Sequence, residues 1–456
     1  MSPSQMYDGG SSSSSSNSSS SNSSSSNSSC GDADSGSESW QSVLRGLSIR
    51  TPPVRVLLPC AGWDAPCQAL QALGIPHTVA GAWETDMSCA PVLRKVHGIR
   101  ADKDLPHQFH IGRTGDITKV RVQSLPDADI LVSGPPCPPF STIGKRRCFT
   151  DRRANVLMAV VKWIFHLATM SLRCFVIENV AGMMQRPSPG GMSPAALIVN
   201  RLKGRLKQWH IECLVMDSGC TAQRRKRIYI VGYRRGPSAS LPLQKALPWL
   251  PRQTLADIVD RRAPNTPLSA LSTGQRSNLE KYKHKLKREL RDRRFRGQVA
   301  AVEIDRDMDK GWGARVAIGQ CMCLRARSDR QFLLSLGEGS PSVQRLLTPA
   351  EAAALQGMRP EIVPKGFPRH RVFHGLGNAM TVPVVAQVLY VGIGRAFGMR
   401  LHGDSGEDSG EDSDGGSASD GMRSSSSDGV SSSSSDGVSP GQMSCGMSVV
   451  SSSSSS

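Results

Sequence analysis

The chain has 456 residues and a formal net charge of +18. Residues 1–50 carry −2 and residues 402–456 carry −8, which leaves +28 on residues 51–401. That excess argues against an enzyme of small metabolites and for a polyanionic partner, most simply nucleic acid. The 12 cysteines include no C-x-x-C pair, so a zinc ribbon or finger is not expected and no metal is assigned. No hydrophobic run is expected to span a membrane, and the N-terminus lacks an apolar signal core. Reduced thiols in cytosol or nucleus follow.

Residues 1–50 read as a disordered Ser-rich segment and 402–456 as a disordered, acidic Ser-rich tail. Neither can bury enough apolar surface to offset chain entropy. Between them, short apolar runs read as buried strands: Val54–Leu58, His77–Ala82, Ile130–Val132, Cys174–Ile177, Ile211–Val215 and Arg227–Val231. Helical periodicity appears over 66–73, 154–171 and 195–208. Such alternation predicts an α/β fold with a mostly parallel sheet and helices on both faces. Ligands are then expected beyond the carboxyl ends of the strands.

The strand ends carry a suggestive series. "CAGWDAP" (60–66) follows the first strand, with Gly62 allowing close backbone approach and Pro66 suited to open a helix. Glu84 follows the second and suits ribose hydroxyls, as in dinucleotide folds. "GDIT" (115–118) adds Asp116 at a turn. "SGPPCPPFS" (133–141) places Cys137 among four prolines that restrict the backbone. "ENV" (178–180) adds Glu178. One edge thus offers an adenosine-type site, a thiol and a carboxylate. Singly, each of these is most often a turn, a cap or an inert thiol; their order and spacing carry the reading.

Taken with "QRRKR" (223–227), "RLLTPAEAAALQGM" (345–358) and "GNAMTVP" (377–383), the series resembles the cytosine carbon-5 methyltransferases, which act mainly on DNA. The resemblance implies a Rossmann-like class I methyltransferase fold. Its parts would be a catalytic domain over 51–235, a smaller target-recognition domain over 236–344, and the rest of the catalytic domain over 345–401. It implies S-adenosyl-L-methionine as cofactor and double-stranded DNA as substrate. Cys137 would be the nucleophile and Glu178 the partner of the target base. Arg225 would help hold the flipped base, with Arg227 supporting it. Cys60, Gly62, Trp63, Glu84, Asp116, Ile117, Pro135 and Asn378 would bind the cofactor. The chemistry fits these residue types. A thiolate adding to carbon 6 makes carbon 5 nucleophilic, and a buried carboxylic acid can protonate ring nitrogen 3. The target base must first leave the helical stack.

The sequence departs from the pattern in four places. Asp64 and Ala65 stand where glycines are usual, and Asp64 is expected to put negative charge near the cofactor's methionine carboxylate. Thr85 stands where some members stack an aromatic ring. Pro138 replaces a common glutamine and Ala354 a frequent arginine. Lys145, Arg146, Arg147, Arg152 and Arg153 are expected to form a basic loop over the nucleic-acid backbone. Leu279, Tyr282, Leu286 and Leu290 predict an amphipathic basic helix. Gly311–Gly313 and Cys321–Arg327 are read as loops and strands reaching into a groove. Two alternatives accompany this reading: a transfer-RNA cytosine-5 methyltransferase, and a DNA- or chromatin-binding protein with a weakened active site. The serine runs and a DNA substrate together suggest a nuclear location.

Overall fold

The computed structural model describes residues 39–401, except 48, 142–147, 236–241, 311–313, 327–329, 340–341 and 400. Lys145, Arg146, Arg147, Gly311–Gly313, Arg327, most of the Ser-rich N-terminal segment and the acidic tail lie outside the described residues. The strands in chain order are β1 (Val54–Pro59), β2 (His77–Glu84), β3 (Phe109–Ile111), β4 (Ile130–Ser133), β5 (Cys174–Val180), β6 (Trp209–Asp217), β7 (Gln223–Arg224), β8 (Lys226–Arg234), β9 (Val299–Glu303), β10 (Val316–Ile318), β11 (Cys321–Met322), β12 (Gln331–Ser335) and β13 (Gln344–Leu346).

Seven of these form one sheet in the order β3-β2-β1-β4-β5-β8-β6. The first five are mutually parallel, while β8 runs antiparallel to both β5 and β6. The central strands read as unbroken apolar runs because both faces are covered. On one face the helix Ala154–Leu167 lays Leu157, Val161, Ile164 and Leu167 against the sheet. It ends four residues before the predicted end, because the chain turns there and the Leu172 amide bonds back to the Leu167 carbonyl. On the other face the helices Ala65–Ala72 and Val382–Ala396 pack together against the sheet.

The stretch Arg369–Ala396 corrects one expectation. It is long and apolar enough to cross a membrane by length and composition, yet 89% of its apolar window is buried inside the protein. Its hydropathy answers to one continuous core, in which Val382–Ala396 packs on β5, β8 and the helix Ala65–Ala72.

A second, antiparallel sheet has the order β10-β9-β12-β13. The helix Thr273–Lys285 covers it, opened by a reciprocal cap between Ser272 and Gln275. Leu279, Tyr282 and Leu286 pack there with Val302, Phe332 and Leu334. The predicted apolar stripe therefore packs in the core of this sheet, but it spans two helices, since the chain breaks at Leu286 and Leu290 lies in the short helix Lys287–Arg291. Leu243, Ala246, Leu250 and Leu255, which precede that helix, lie in a core that also takes in Val299 and Ala301 of β9 and Leu333 of β12, on the sheet face away from the helix. A two-residue parallel pairing joins the lobes: Cys321 of β11 lies opposite Gln223 of β7, and Met322 opposite Arg224.

Candidate active site

The carboxyl ends of β1, β2, β4 and β5 lie side by side because their strands are neighbours in the sheet. At β1 and β2, the Gly62 amide donates to Glu84 Oε2 at 2.9 Å and the Asp86 amide to Glu84 Oε1 at 2.9 Å. Two backbone donors thus fix the carboxylate, with acceptor capacity left over. Nothing lies within 4 Å of where a Gly62 side chain would point, so this face of the loop is open. Gly115 packs on the carbonyl of Glu84; a Cβ there would sit 2.1 Å from that oxygen. This approach brings the Gly115–Asp116 turn against the end of β2. Asp116 accepts from the Thr118 hydroxyl at 2.6 Å, which with its other contacts holds its carboxyl below the ordinary range.

Cys60 ends β1 with φ 63°, and burial followed by the Glu84 charge pushes its thiol well up. Trp63 is buried against Gly375 of the helix Arg369–Asn378, where any larger residue would collide with its indole. Ile117 is buried with the helix Ala154–Leu167 and so sits in the core. Asn378 is exposed at its helix end, its amide 3.2 Å from His374 Nε2. Among the described residues, neither Ile117 nor Asn378 shares a side-chain hydrogen bond with Gly62 or Glu84.

Asp64 corrects the expectation of a charge facing the cofactor. It is fully buried and turned into the protein. Oδ1 caps the helix Ala65–Ala72 by accepting from the Cys67 amide at 3.0 Å, and Oδ2 lies 2.6 Å from His97 Nε2. Its φ of 50° directs the side chain away from the open face of the loop. Asp64, Cys67 and His97 bring metal-ligating atoms within 4.8 Å of one another, but the oxygens of Asp64 already have these partners.

The nucleophile loop begins at Ser133, whose hydroxyl donates to the Pro59 carbonyl at 2.7 Å. The Asn179 amide donates to the Pro135 carbonyl at 3.1 Å and ties the loop to β5. The Phe140 and Ser141 amides then fold back onto the Cys137 carbonyl at 2.9 and 3.0 Å. Pro135 and Pro139 are buried and Pro138 is exposed. The loop is thus fixed at both ends around a half-buried thiol. Burial and the nearby Glu178 raise the Cys137 thiol, against the pull of Arg227 and Arg225.

Glu178 is 7% exposed. Arg227 Nε approaches its Oε1 to 3.1 Å, an ion pair between β8 and β5. Burial raises the Glu178 carboxyl above its ordinary range, outweighing Arg227 and Arg225. A buried carboxylic acid raised in this way, beside a thiol, can donate a proton to a bound base. Arg225 is placed differently. Its guanidinium donates to the carbonyls of Leu324 at 2.8 Å and Ala379 at 2.7 Å, with Gly377 at 3.3 Å. It braces β8 to the β11 segment and to the last motif. Further along the chain, Arg153 is paired with Asp151 at 2.6 Å.

Three features here were not read from the sequence. Gln223 donates to the Leu355 carbonyl at 2.7 Å and accepts from the Leu324 amide at 2.9 Å, knotting three segments. Gly377 lets the last motif pass the β11 segment, where a Cβ would lie 2.2 Å from the Arg325 carbonyl carbon. Cys323 lies between the two arginines, its sulfur 3.7 Å from Arg225 Nη1 and 3.8 Å from Arg227 Nη2. "QRRKR" signals the first and third only once the fold brings residues 321–326 against it.

A doubly wound sheet with this strand order, an open adenosine-type edge and a thiol beside a buried carboxyl defines a methyltransferase-like α/β protein. The family model described as C-5 cytosine-specific DNA methylase matches residues 82–391, and the chain belongs to that family. S-Adenosylmethionine is the methyl donor of the family, and the Glu84–Gly62 edge with its open loop face fits an adenosyl group. The type II methyltransferase M.BsuFI of Bacillus subtilis is 34% identical over 119 residues, which cover 26% of this chain and 28% of that protein. M.NlaX of Neisseria lactamica is 27% identical over 286 residues, 61% of this chain and 81% of that protein. The chain spans about a third or less of the length of M.BsuFI and of the phage enzyme M.Rho11sI, at 28% and 33%. The Entamoeba histolytica methyltransferase EhMeth shares the fold, with a TM-score of 0.51 at 16% identity, covering 75% of this chain and 98% of that one.

Proposed function

We propose that this chain is a DNA cytosine-5 methyltransferase that uses Cys137 as a covalent nucleophile. The observation that carries the reading is the buried Glu178 carboxyl, raised by its burial and steadied by Arg227 at 3.1 Å, beside the Cys137 loop that Asn179 pins to the same strand. Family membership supports the reaction class, and the net charge of +28 on residues 51–401 supports a nucleic-acid substrate.

Each group then has a task. The Cys137 thiolate adds to carbon 6 of an extruded cytosine, and it is expelled again when carbon 5, once methylated, gives up its proton to a base. Glu178, in its acid form, donates to ring nitrogen 3 and relieves the charge that builds on the ring. S-Adenosylmethionine supplies the electrophilic methyl group. Glu84 receives the ribose hydroxyls, with Gly62 fixing the orientation of the carboxylate. Asp116 faces the adenine from the adjoining turn. The pinned loop limits the entropy lost in aligning the thiolate with its target.

The test is transfer of labelled methyl from S-adenosylmethionine to duplex DNA and to transfer RNA, side by side. Incorporation at cytosine in DNA, abolished in Cys137→Ser, is expected. Transfer to RNA alone would move the substrate to the alternative. Cofactor and DNA binding without transfer to either would favour a binding protein.

A further inference from the structure

We propose that Cys323 is a positioning residue of this site, its sulfur serving as the anion that holds the Arg227 guanidinium in place against Glu178. The inference rests on the function proposed above. The geometry comes first. The sulfur lies 3.7 Å from Arg225 Nη1 and 3.8 Å from Arg227 Nη2, and 3.4 Å from the Leu324 carbonyl oxygen that Arg225 Nη1 itself holds at 2.8 Å; Arg227 Nε lies 3.1 Å from Glu178 Oε1. Carboxyl, guanidinium, sulfur and second guanidinium therefore form one continuous row, from β5 through β8 to the segment after β11.

Charge counting gives the sulfur its role. Arginine does not lose its proton in proteins, so two cations lie here, Arg225 buried at 2% exposed and Arg227 half-buried with its side chain 15% exposed. The hydrogen-bond partners of Arg225 other than the sulfur are neutral carbonyls. The titratable groups around the row are Glu178 from β5, Cys137 from its loop, Tyr229 from β8 and Cys323 itself. Tyr229 is buried and its phenol is pushed far up, chiefly by burial. Glu178 supplies at most one negative charge, and it supplies none while it carries the proton that the reaction needs. At that stage a Cys323 thiolate is the anion left to hold Arg227, besides the reacting Cys137. Burial pulls the Cys323 thiol up, but Arg225 and Arg227 together outweigh it and hold the thiol below its ordinary range.

Two measurements on the full chain test this. The first is alkylation of Cys323 by iodoacetamide against pH, read by peptide mass spectrometry. A midpoint below the ordinary thiol value of about 8.5 is expected; a midpoint at or above it overturns the proposal. The second compares wild type, Cys323→Ser and Cys323→Asp for methyl transfer from pH 6 to 10. Cys323→Ser should lower kcat by about 10- to 100-fold with KM for S-adenosylmethionine unchanged, and Cys323→Asp should restore most of the rate. A serine variant equal to wild type, or an aspartate variant as slow as the serine one, overturns it. If the wild type transfers no methyl group, the proposed function fails, and the alkylation midpoint still decides whether the sulfur is anionic. That arm needs no variant to fold.

Discussion

Arg227 Nε lies 3.1 Å from Glu178 Oε1, pairing a guanidinium of β8 with the carboxyl of β5. The guanidinium steadies the acid without fully neutralising the cost of burying it, and the Glu178 carboxyl is raised. Cys137 is raised too, from a higher starting value. The competent pair, thiolate plus carboxylic acid, is therefore the minor protonation state. Below the Glu178 titration the thiolate fraction limits the rate, which rises with pH. Above the Cys137 titration the acid fraction limits it, and the rate falls. Between them the two dependences cancel. A kcat/KM profile that is flat across the neutral range, with unit slopes outside it, is expected in the free enzyme. A single rise through neutrality would contradict the assignment. Glu178→Gln should cost at least ~100-fold in kcat and remove the alkaline fall.

Asn179→Ala removes the bond to the Pro135 carbonyl and the acceptor for the Val180 amide. The expected result is a kcat lower by about 10- to 100-fold, with affinity for S-adenosylmethionine nearly unchanged. Single-turnover methyl transfer alongside cofactor titration separates the two effects.

Glu84→Gln replaces a carboxylate that accepts from two backbone amides. Hydrogen bonds to a charged group are worth about 1.5–3 kcal/mol. Calorimetric titration should find S-adenosylmethionine bound roughly 10- to 100-fold more weakly, with the unfolding midpoint little moved.

Asp64→Asn keeps a capping side chain and removes the charge paired with His97. A carboxylate facing the methionine end of the cofactor would oppose it by about 1 kcal/mol or more, and its removal would tighten binding several-fold. Because Asp64 is buried and turned inward, cofactor affinity is expected to stay the same. Stability, read by denaturant unfolding, should fall.

Gly377→Ala places a methyl group 2.2 Å from the Arg325 carbonyl carbon and 2.4 Å from the Ala326 amide nitrogen. Both neighbours are backbone and cannot rotate away. A loss of about 1–3 kcal/mol of stability is expected, with a drop in methyl transfer, because the Gly377 carbonyl also receives Arg225.

The sequence by itself determined the large sheet and the order of its motifs. Apolar runs covered on both faces, and helices with a period near 3.6, are local signals that need no partner to be read. Cys137, Glu178 and Glu84 were legible because in such a sheet the strand ends converge on one edge whatever the detailed packing. The direction in which a side chain turns is not a local property. Asp64 reads as a charge in the cofactor loop, and only its left-handed backbone and its partner His97, 33 residues away, direct it inward. Arg225 reads as a contact for the base, yet packing gives its donors to carbonyls 99 to 154 residues further along. The apolar stretch before residue 396 passes a composition test for a membrane, and burial in the core decides against that use. Cys323 carries no sequence signal of its own. Its place between two guanidinium groups arises because a two-residue strand pairing brings β11 beside "QRRKR", and a long-range contact of that kind exists only once the chain has folded.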